Sequence, residues 1–245
     1  MAPRASTRVS IRWPPAPASE PTDTLVLSVG GYYVDLRVRK SDGEIDWALA
    51  GERIVDPQHS AKVKFTHIID SHHNPSSSEP EPAPDVGDFI KLPNGDDLET
   101  GEMPNPDAGG QVMPYEEIWR ELKWPTGNSC WFLESVDSHD AEKGTATTTR
   151  RTKTFHAKVG NYYLALRQVI NGEDVTFVAL RQDYHIDDEE GKGWKTIYEI
   201  GKQQQQLQLD RLTGIDERLG TEATGWRVGE KVVVGNESYI VRASE

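Results

Sequence analysis

The chain has a single cysteine, Cys130, so no disulfide can close within it. That fits a reducing compartment. No apolar run approaches the ~20 residues a membrane helix needs, and no hydrophobic signal core stands near Met1. Basic residues are scarce, 27 against 40 acidic ones, for a formal charge of −13. A nucleic-acid surface needs a basic stripe, and an anionic membrane repels such a chain, so neither partner is expected. The expected location is cytoplasmic, with nuclear access as well. Arg4, Arg8 and Arg12 precede the first acid, Glu20, in the manner of a transit peptide. However, Pro3, Pro14, Pro15 and Pro17 leave little room for an amphipathic helix there, and Val9, Ile11 and Trp13 alternate as a strand does.

Catalytic signatures are missing too. There is no GxSxG, no P-loop and no dinucleotide fingerprint, so hydrolase, NTPase and nicotinamide chemistry lack support. There is no CxxC or HExxH spacing either. His67, Asp70, His72 and His73 are the densest set of ligand-type residues. On one strand His67 and Asp70 would point to opposite faces, and a closed tetrahedral site needs four converging ligands. No metal and no cofactor are expected.

What the chain does have is a likeness to itself. Tyr32-Tyr33-Val34-Asp35-Leu36-Arg37 returns as Tyr162-Tyr163-Leu164-Ala165-Leu166-Arg167, an offset of 130. Gly31 and Gly160 stand before the two copies. At the same offset Trp47-Ala48-Leu49-Ala50 faces Phe177-Val178-Ala179-Leu180. Two units of one architecture are therefore expected, 1–125 and 126–245, each of ordinary domain size.

Period-two alternation dominates. Thr24–Val29, Tyr32–Arg39, Ile45–Ala50 and Lys62–Asp70 read as strands in the first unit. Cys130–Val136, Thr147–Val159, Tyr162–Ile170, Val175–Tyr184 and Trp194–Ile200 do so in the second. Gly30-Gly31, Asn94-Gly95 and Asn171-Gly172 supply tight turns. Residues 72–88, rich in Pro, Ser and acids, read as a mobile acidic loop. Residues 114–122 put Ile118, Trp119 and Leu122 at helical spacing after Pro114, which predicts a short helix linking the two units. Many short strands with tight turns imply sandwiches or barrels, and closure removes exposed edges. The fold class expected is all-β: two tandem antiparallel β-barrels joined by a short helix. On this view Val34 and Leu36 line the first barrel's interior, and Leu164 and Leu166 the second's.

Phe65-Thr66-His67-Ile68-Ile69-Asp70-Ser71, Leu98–Pro106, Tyr115-Glu116-Glu117-Ile118-Trp119-Arg120 and Trp47-Ala48-Leu49-Ala50-Gly51 together resemble the fungal HRI family. The likeness spans Ile11 to the C-terminus and departs at Phe65 and Ile68, where relatives often carry Trp. It implies two lipocalin-like barrels in one intracellular chain. The family's budding-yeast member is named for its interaction with a casein-kinase-I homologue, which implies a protein-kinase partner.

Small barrels are filled with side chains or hold one small ligand. The ligand expected is small and apolar, met by Trp47, Trp131, Tyr163, Phe177 and Arg37. The rival reading is a cofactor-independent isomerase or cyclase of a fungal secondary-metabolite pathway, folding a polyketide- or terpenoid-like substrate in a barrel pocket. Its candidate groups are His67, Tyr33, Tyr163, Arg167 and Glu102. Glu117, Trp119 and Arg120 are expected to be structural, with Arg120 clamping a carboxylate between the units. Ser76 and Ser78, each three residues before a Glu, are candidate sites for acidophilic kinases. Cys130, in an apolar strand, reads as a small buried hydrophobe.

Overall fold

A computed structural model describes residues 1–73, 85–125, 129–136, 138–140, 150–185, 193–201 and 225–245. Seventeen strands form two antiparallel sheets among these residues. The first sheet comprises β1 (Arg4–Arg12), β2 (Thr22–Val29), β3 (Tyr32–Arg39), β4 (Ile45–Val55), β5 (Lys62–Phe65), β6 (Ile69–Asp70), β7 (Asp85–Lys91), β8 (Asp97–Asn105) and β9 (Gln111–Glu121). Its order is β3-β2-β1-β9-β8-β7-β5-β4, and β3 pairs with β4, so eight strands close into a barrel; β6 pairs with β4 beside it.

The second sheet holds β10 (Cys130–Ser135), β11 (Ser138–Asp140), β12 (Arg150–Val159), β13 (Tyr162–Asn171), β14 (Asp174–His185), β15 (Gly193–Ile200), β16 (Lys231–Val234) and β17 (Glu237–Ser244). Its order is β15-β14-β13-β12-β10-β17-β16, with β11 on β12; among the described residues no pairing closes it.

No linking helix exists at 114–122. The segment is the C-terminal part of β9. Tyr115, Glu117 and Trp119 are buried and alternate with more exposed Glu116, Ile118 and Arg120, which is period two. The helical spacing of Ile118, Trp119 and Leu122 was a coincidence of three residues. Pro114 is tolerated because β1 pairs β9 only from Glu116 onward, so no ladder bond is lost on that side. One short 3-10 turn, Pro106–Ala108, precedes β9. The acidic loop is shorter than expected at its C-terminal end, since Asp85–Asp88 already belong to β7; residues 74–84, with Ser76 and Ser78, lie outside the described residues.

The main core does not lie inside the barrel. Leu25, Leu27, Val34, Leu36, Ala48 and Ala50 of the barrel wall form one cluster with Phe132, Phe155, Ala157, Leu164, Leu166 and Ala243 of the second sheet. Val34 and Leu36 therefore point out of the barrel, not in, and Leu164 and Leu166 meet them from the other sheet. Burial of each such side chain contributes about 1.5–3 kcal/mol. Tyr32 stacks on Phe132 at 5.3 Å across this seam. Polar contacts border it: Arg181 and the Tyr198 hydroxyl both reach the Asp23 carboxylate, at 3.0 and 2.9 Å. The single cysteine is one of the seam's small apolar residues, and burial raises its thiol pKa.

Register corrects the internal likeness at one place. Leu36 pairs with Ala48, and Leu166 with Ala179, an offset of 131 in the third strand rather than 130. One more residue separates Leu166 from Ala179 than separates Leu36 from Ala48, so the extra residue lies in the second hairpin, and the bulge after Arg37 belongs to the shorter first one. Trp47 thus has Val178 as its counterpart, not Phe177. One residue flips a strand's faces: Phe177 packs partly buried on the seam, whereas Trp47 stands beside Arg37 of the barrel interior.

Candidate functional site

Inside the barrel the lining is polar. On β3, the face opposite Val34 and Leu36 carries Tyr33, Asp35 and Arg37, all buried. Arg37 donates from Nε and Nη2 to Asp35 Oδ2 at 3.0 and 2.8 Å. Its Nη1 lies 3.5 Å from Glu117 Oε1 of β9. Two strands separate β3 from β9 in the wall, so this contact crosses the interior. Arg8 donates to the same Glu117 oxygen at 2.6 Å and also pairs with Glu20. The Arg37 guanidinium stands 4.8 Å from the Trp47 ring and 5.8 Å from the Trp119 ring. Burial works against the Arg37 charge, but Asp35 and then Glu117 outweigh it, and its pKa lies above the ordinary arginine value.

Glu99 is the second interior carboxylate. It accepts from the Tyr115 hydroxyl at 2.9 Å. Burial, then the charges of Glu117 and Asp85, push its pKa well above the ordinary carboxylate value, which favours its neutral form. Gly87 and Gly101 make room for this pair: a Cβ at Gly87 would stand 2.3 Å from Glu99 Oε1, and one at Gly101 2.8 Å from the Tyr115 hydroxyl.

Among the described residues, two polar atoms beside Arg37 lack partners. Asp35 Oδ1 and Trp119 Nε1 are buried and make no hydrogen bond. One is a free acceptor and the other a free donor, and both residues contact Arg37. Leaving such an atom unsatisfied costs about 1–3 kcal/mol.

His67 sits at the barrel wall where the expected strand Lys62–Asp70 is broken into β5 and β6. The break undoes the opposite-face argument: His67 Nδ1 lies 2.7 Å from Asp70 Oδ2, and Nε2 3.4 Å from Asp85 Oδ2. Trp47 Nε1 donates to Asp70 Oδ1 at 2.7 Å, and His72 stacks on the Trp47 ring at 5.0 Å. Burial opposes a charge on His67, but the bonds to Asp70 and Asp85 outweigh it and raise its pKa to about 9. Among the described residues no three His, Cys, Asp or Glu side chains gather as a metal site.

The second sheet carries a different polar chain on the face away from the seam. Tyr239 donates to Glu237 Oε2 at 2.7 Å, so it accepts from His156 Nε2 at 3.1 Å. His156 Nδ1, 2.7 Å from the Tyr163 hydroxyl, is then the acceptor, which fixes the Nε2–H tautomer. Arg167 pairs with Glu237 although two strands, β12 and β10, lie between them, so the sheet curls around this face. Trp131, Leu133, Ala165, Leu180 and Val241 surround the chain. Burial, then Arg167, hold the His156 pKa down at about 3, and the ring is neutral.

The sequence candidates therefore divide. Tyr33, Arg37, Trp47 and His67 come together at the barrel, joined by Glu117 and Trp119. Tyr163, Trp131 and Arg167 gather in the second sheet. Phe177 lies on the seam, and Glu102 is exposed on β8 opposite Pro114. Arg120 does grip a carboxylate with two bonds, at 2.9 and 2.8 Å, but the partner is Asp96 in the turn that precedes β8 of the same barrel, so it clamps nothing between the sheets. Asp35, Glu99, Tyr115, His156 and Tyr239 escaped sequence reasoning. Their only signal was position on the face of a strand opposite its aliphatic residues.

The two histidines give opposite pH dependences. His67 is raised in the folded state, so its stabilisation is complete below about 6.5 and is lost as pH climbs through about 9. His156 is depressed, so its neutral form supports the fold above about 6.5 and that support is lost toward pH about 3. Urea midpoints of His67→Gln should therefore fall less than wild type between pH 6.5 and 9, a difference of about 2–3 kcal/mol. Parallel slopes for the two proteins would refute the pairing of His67 with Asp70 and Asp85.

Fold and interior together define an all-β protein in which a closed, polar-lined barrel packs its outer wall on a second curled sheet. The profile of the family Protein HRI1 matches residues 4–230, and the chain belongs to that family. A solved structure with the same fold is the uncharacterized protein YLR301w from Saccharomyces cerevisiae, at a TM-score of 0.69 and 16% identity over 99% of each chain. No curated protein matches the chain. No helix among the described residues is long and apolar enough to cross a membrane.

Proposed function

We propose that the protein is a small-molecule-binding module whose closed barrel holds one polar ligand between Asp35, Arg37 and Trp119. The observation that carries this reading is the free acceptor and free donor flanking Arg37. A hydroxyl- or amide-bearing molecule offers the complementary donor and acceptor, and the Arg37 guanidinium between Trp47 and Trp119 gives it a planar charged surface. The apolar ligand expected from the sequence suits this lining less well, because its carbon surface would strand charges already out of water. The kinship to lipocalins, for both halves, belongs to the same proposal. So does a protein-kinase partner, which rests on the family resemblance alone.

Native mass spectrometry of the full chain from its own host tests the reading. A retained small molecule is expected, with occupancy lowered at least tenfold in Trp119→Phe, which removes the donor and keeps the ring. A bare polypeptide mass, with nothing but water beside Asp35 in a crystal structure, would sink it.

A second reading, the cofactor-free isomerase or cyclase, is favoured by Glu99. A carboxylic acid kept neutral by its surroundings donates a proton or a hydrogen bond at neutral pH. On this reading Glu99→Gln abolishes conversion of the retained molecule and leaves its retention intact; unchanged conversion excludes it.

A further inference from the structure

A second recess lies at the end of the barrel where β2 turns into β3. It is a cavity of about 200 Å³ bordered by Arg4, Arg53, Ser28, the Gly30-Gly31 turn and Met1. None of Asp35, Arg37 or Trp119 lines it, so it is independent of the site above.

Its chemistry is cationic in a chain that is otherwise strongly acidic. Arg4 is engaged: Nη2 donates to Asp97 at 2.7 Å and Nε lies 3.5 Å from Glu121, though Nε makes no hydrogen bond. Arg53 is not. Among the described residues it forms no ion pair, and its side chain's one polar contact is Nη1 to the thioether of Met1 at 3.3 Å. A thioether is a weak acceptor for a guanidinium. Burial, then the neighbouring Arg4 charge, lower the Arg53 pKa, and Glu99 and Asp97 offset this only in part. A guanidinium that is partly desolvated, faces a like charge and borders an open cavity lacks an anion. The planar fork matches an oxyanion with two parallel hydrogen bonds.

We propose that this cavity binds a small oxyanion, with Arg53 as its principal partner and Arg4 assisting. The volume lies below the roughly 300–1,000 Å³ of drug-sized ligand pockets, so the occupant is a simple acid or phosphate ester and not a nucleotide. Gly30 and Gly31 have φ of 57° and 94°, a turn that keeps side chains out of the recess.

Thermal unfolding of the full chain, titrated with inorganic phosphate or with acetate at constant ionic strength in chloride, is the test. A saturable rise in Tm is expected with one or both anions, since a ligand that binds only the folded state raises Tm by mass action. The arm with the tighter response identifies phosphate or carboxylate as the group recognised. Arg53→Gln should weaken the response at least tenfold, while Arg227→Gln, at an exposed arginine elsewhere, leaves it unchanged. In parallel, amide signals of Gly30 and Gly31 in the wild type should shift with the same apparent affinity, a readout that does not depend on the variant folding. No rise beyond chloride in either arm, an undiminished response in Arg53→Gln, or unmoved glycine signals would each overturn the site.

Discussion

Gly51→Ala is expected to destabilise the protein by more than about 4 kcal/mol, or to prevent folding at ambient temperature. Gly51 lies on β4 opposite Tyr33, at the seam where β3 and β4 close the barrel. A Cβ there would stand 1.9 Å from the Thr66 carbonyl oxygen and 2.8 Å from its Oγ1. Neither can retreat cheaply. The carbonyl accepts from the Tyr33 hydroxyl at 3.0 Å, and Oγ1 accepts from the Glu52 amide at 2.8 Å. The Thr66 amide in turn donates to the Glu52 carbonyl at 2.9 Å. A methyl group would push the chain leading to His67 off β4 and open the closing seam. Gly95→Ala is the control. Its φ is 91° but nothing lies within 4 Å of a Cβ, so only the conformational cost of about 1 kcal/mol applies. Urea unfolding of both variants separates steric exclusion from backbone strain, and comparable midpoints would show that the Thr66 segment moves away from Gly51 at little cost.

Arg37→Met should cost about 3–5 kcal/mol. Methionine roughly fills the arginine stem's volume, so the loss is mainly electrostatic. Asp35 is left buried with no cation, and Glu117 keeps only Arg8. Removing one partner of a buried pair strands the other charge, whereas removing both is often close to neutral. The double variant Arg37→Met/Asp35→Asn is therefore expected to recover at least half the loss. A double-mutant cycle by chemical denaturation reads this coupling directly. A single-variant cost below about 1 kcal/mol, or no recovery in the double, would mean that the interior is wet and its charges are solvated rather than paired.

Much of the fold was legible in the chain because the signals were local. Alternation marked β2, β3 and β12–β15 close to their ends, and Gly30-Gly31 and Asn171-Gly172 marked their turns. The failures share one cause. Residues 114–122 offered three positions compatible with a helix, and only pairing to β1 and β8 made the segment up to Glu121 a strand. Lys62–Asp70 read as one strand, and only the approach of Thr66 to Gly51 and of Ile69 to Ala50 divided it. That division carried His67 onto Asp70. The offset of 130 held through the first hairpin of each copy and failed by one residue in β4, because the chain between Leu166 and Ala179 is one residue longer than that between Leu36 and Ala48.

The sequence by itself determined that each strand has an apolar face and a polar one, that the chain is all-β, and that Tyr33, Asp35 and Arg37 share a side. Only the tertiary structure decided which side is inside. Val34 and Leu36 were expected to line the barrel, as the aliphatic face of an isolated barrel does. This barrel does not stand alone: its outer wall is buried on the second sheet, so Val34 and Leu36 leave water there. The interior is then free to hold charges, provided they pair. The two unpaired atoms beside Arg37 are where that pairing is incomplete.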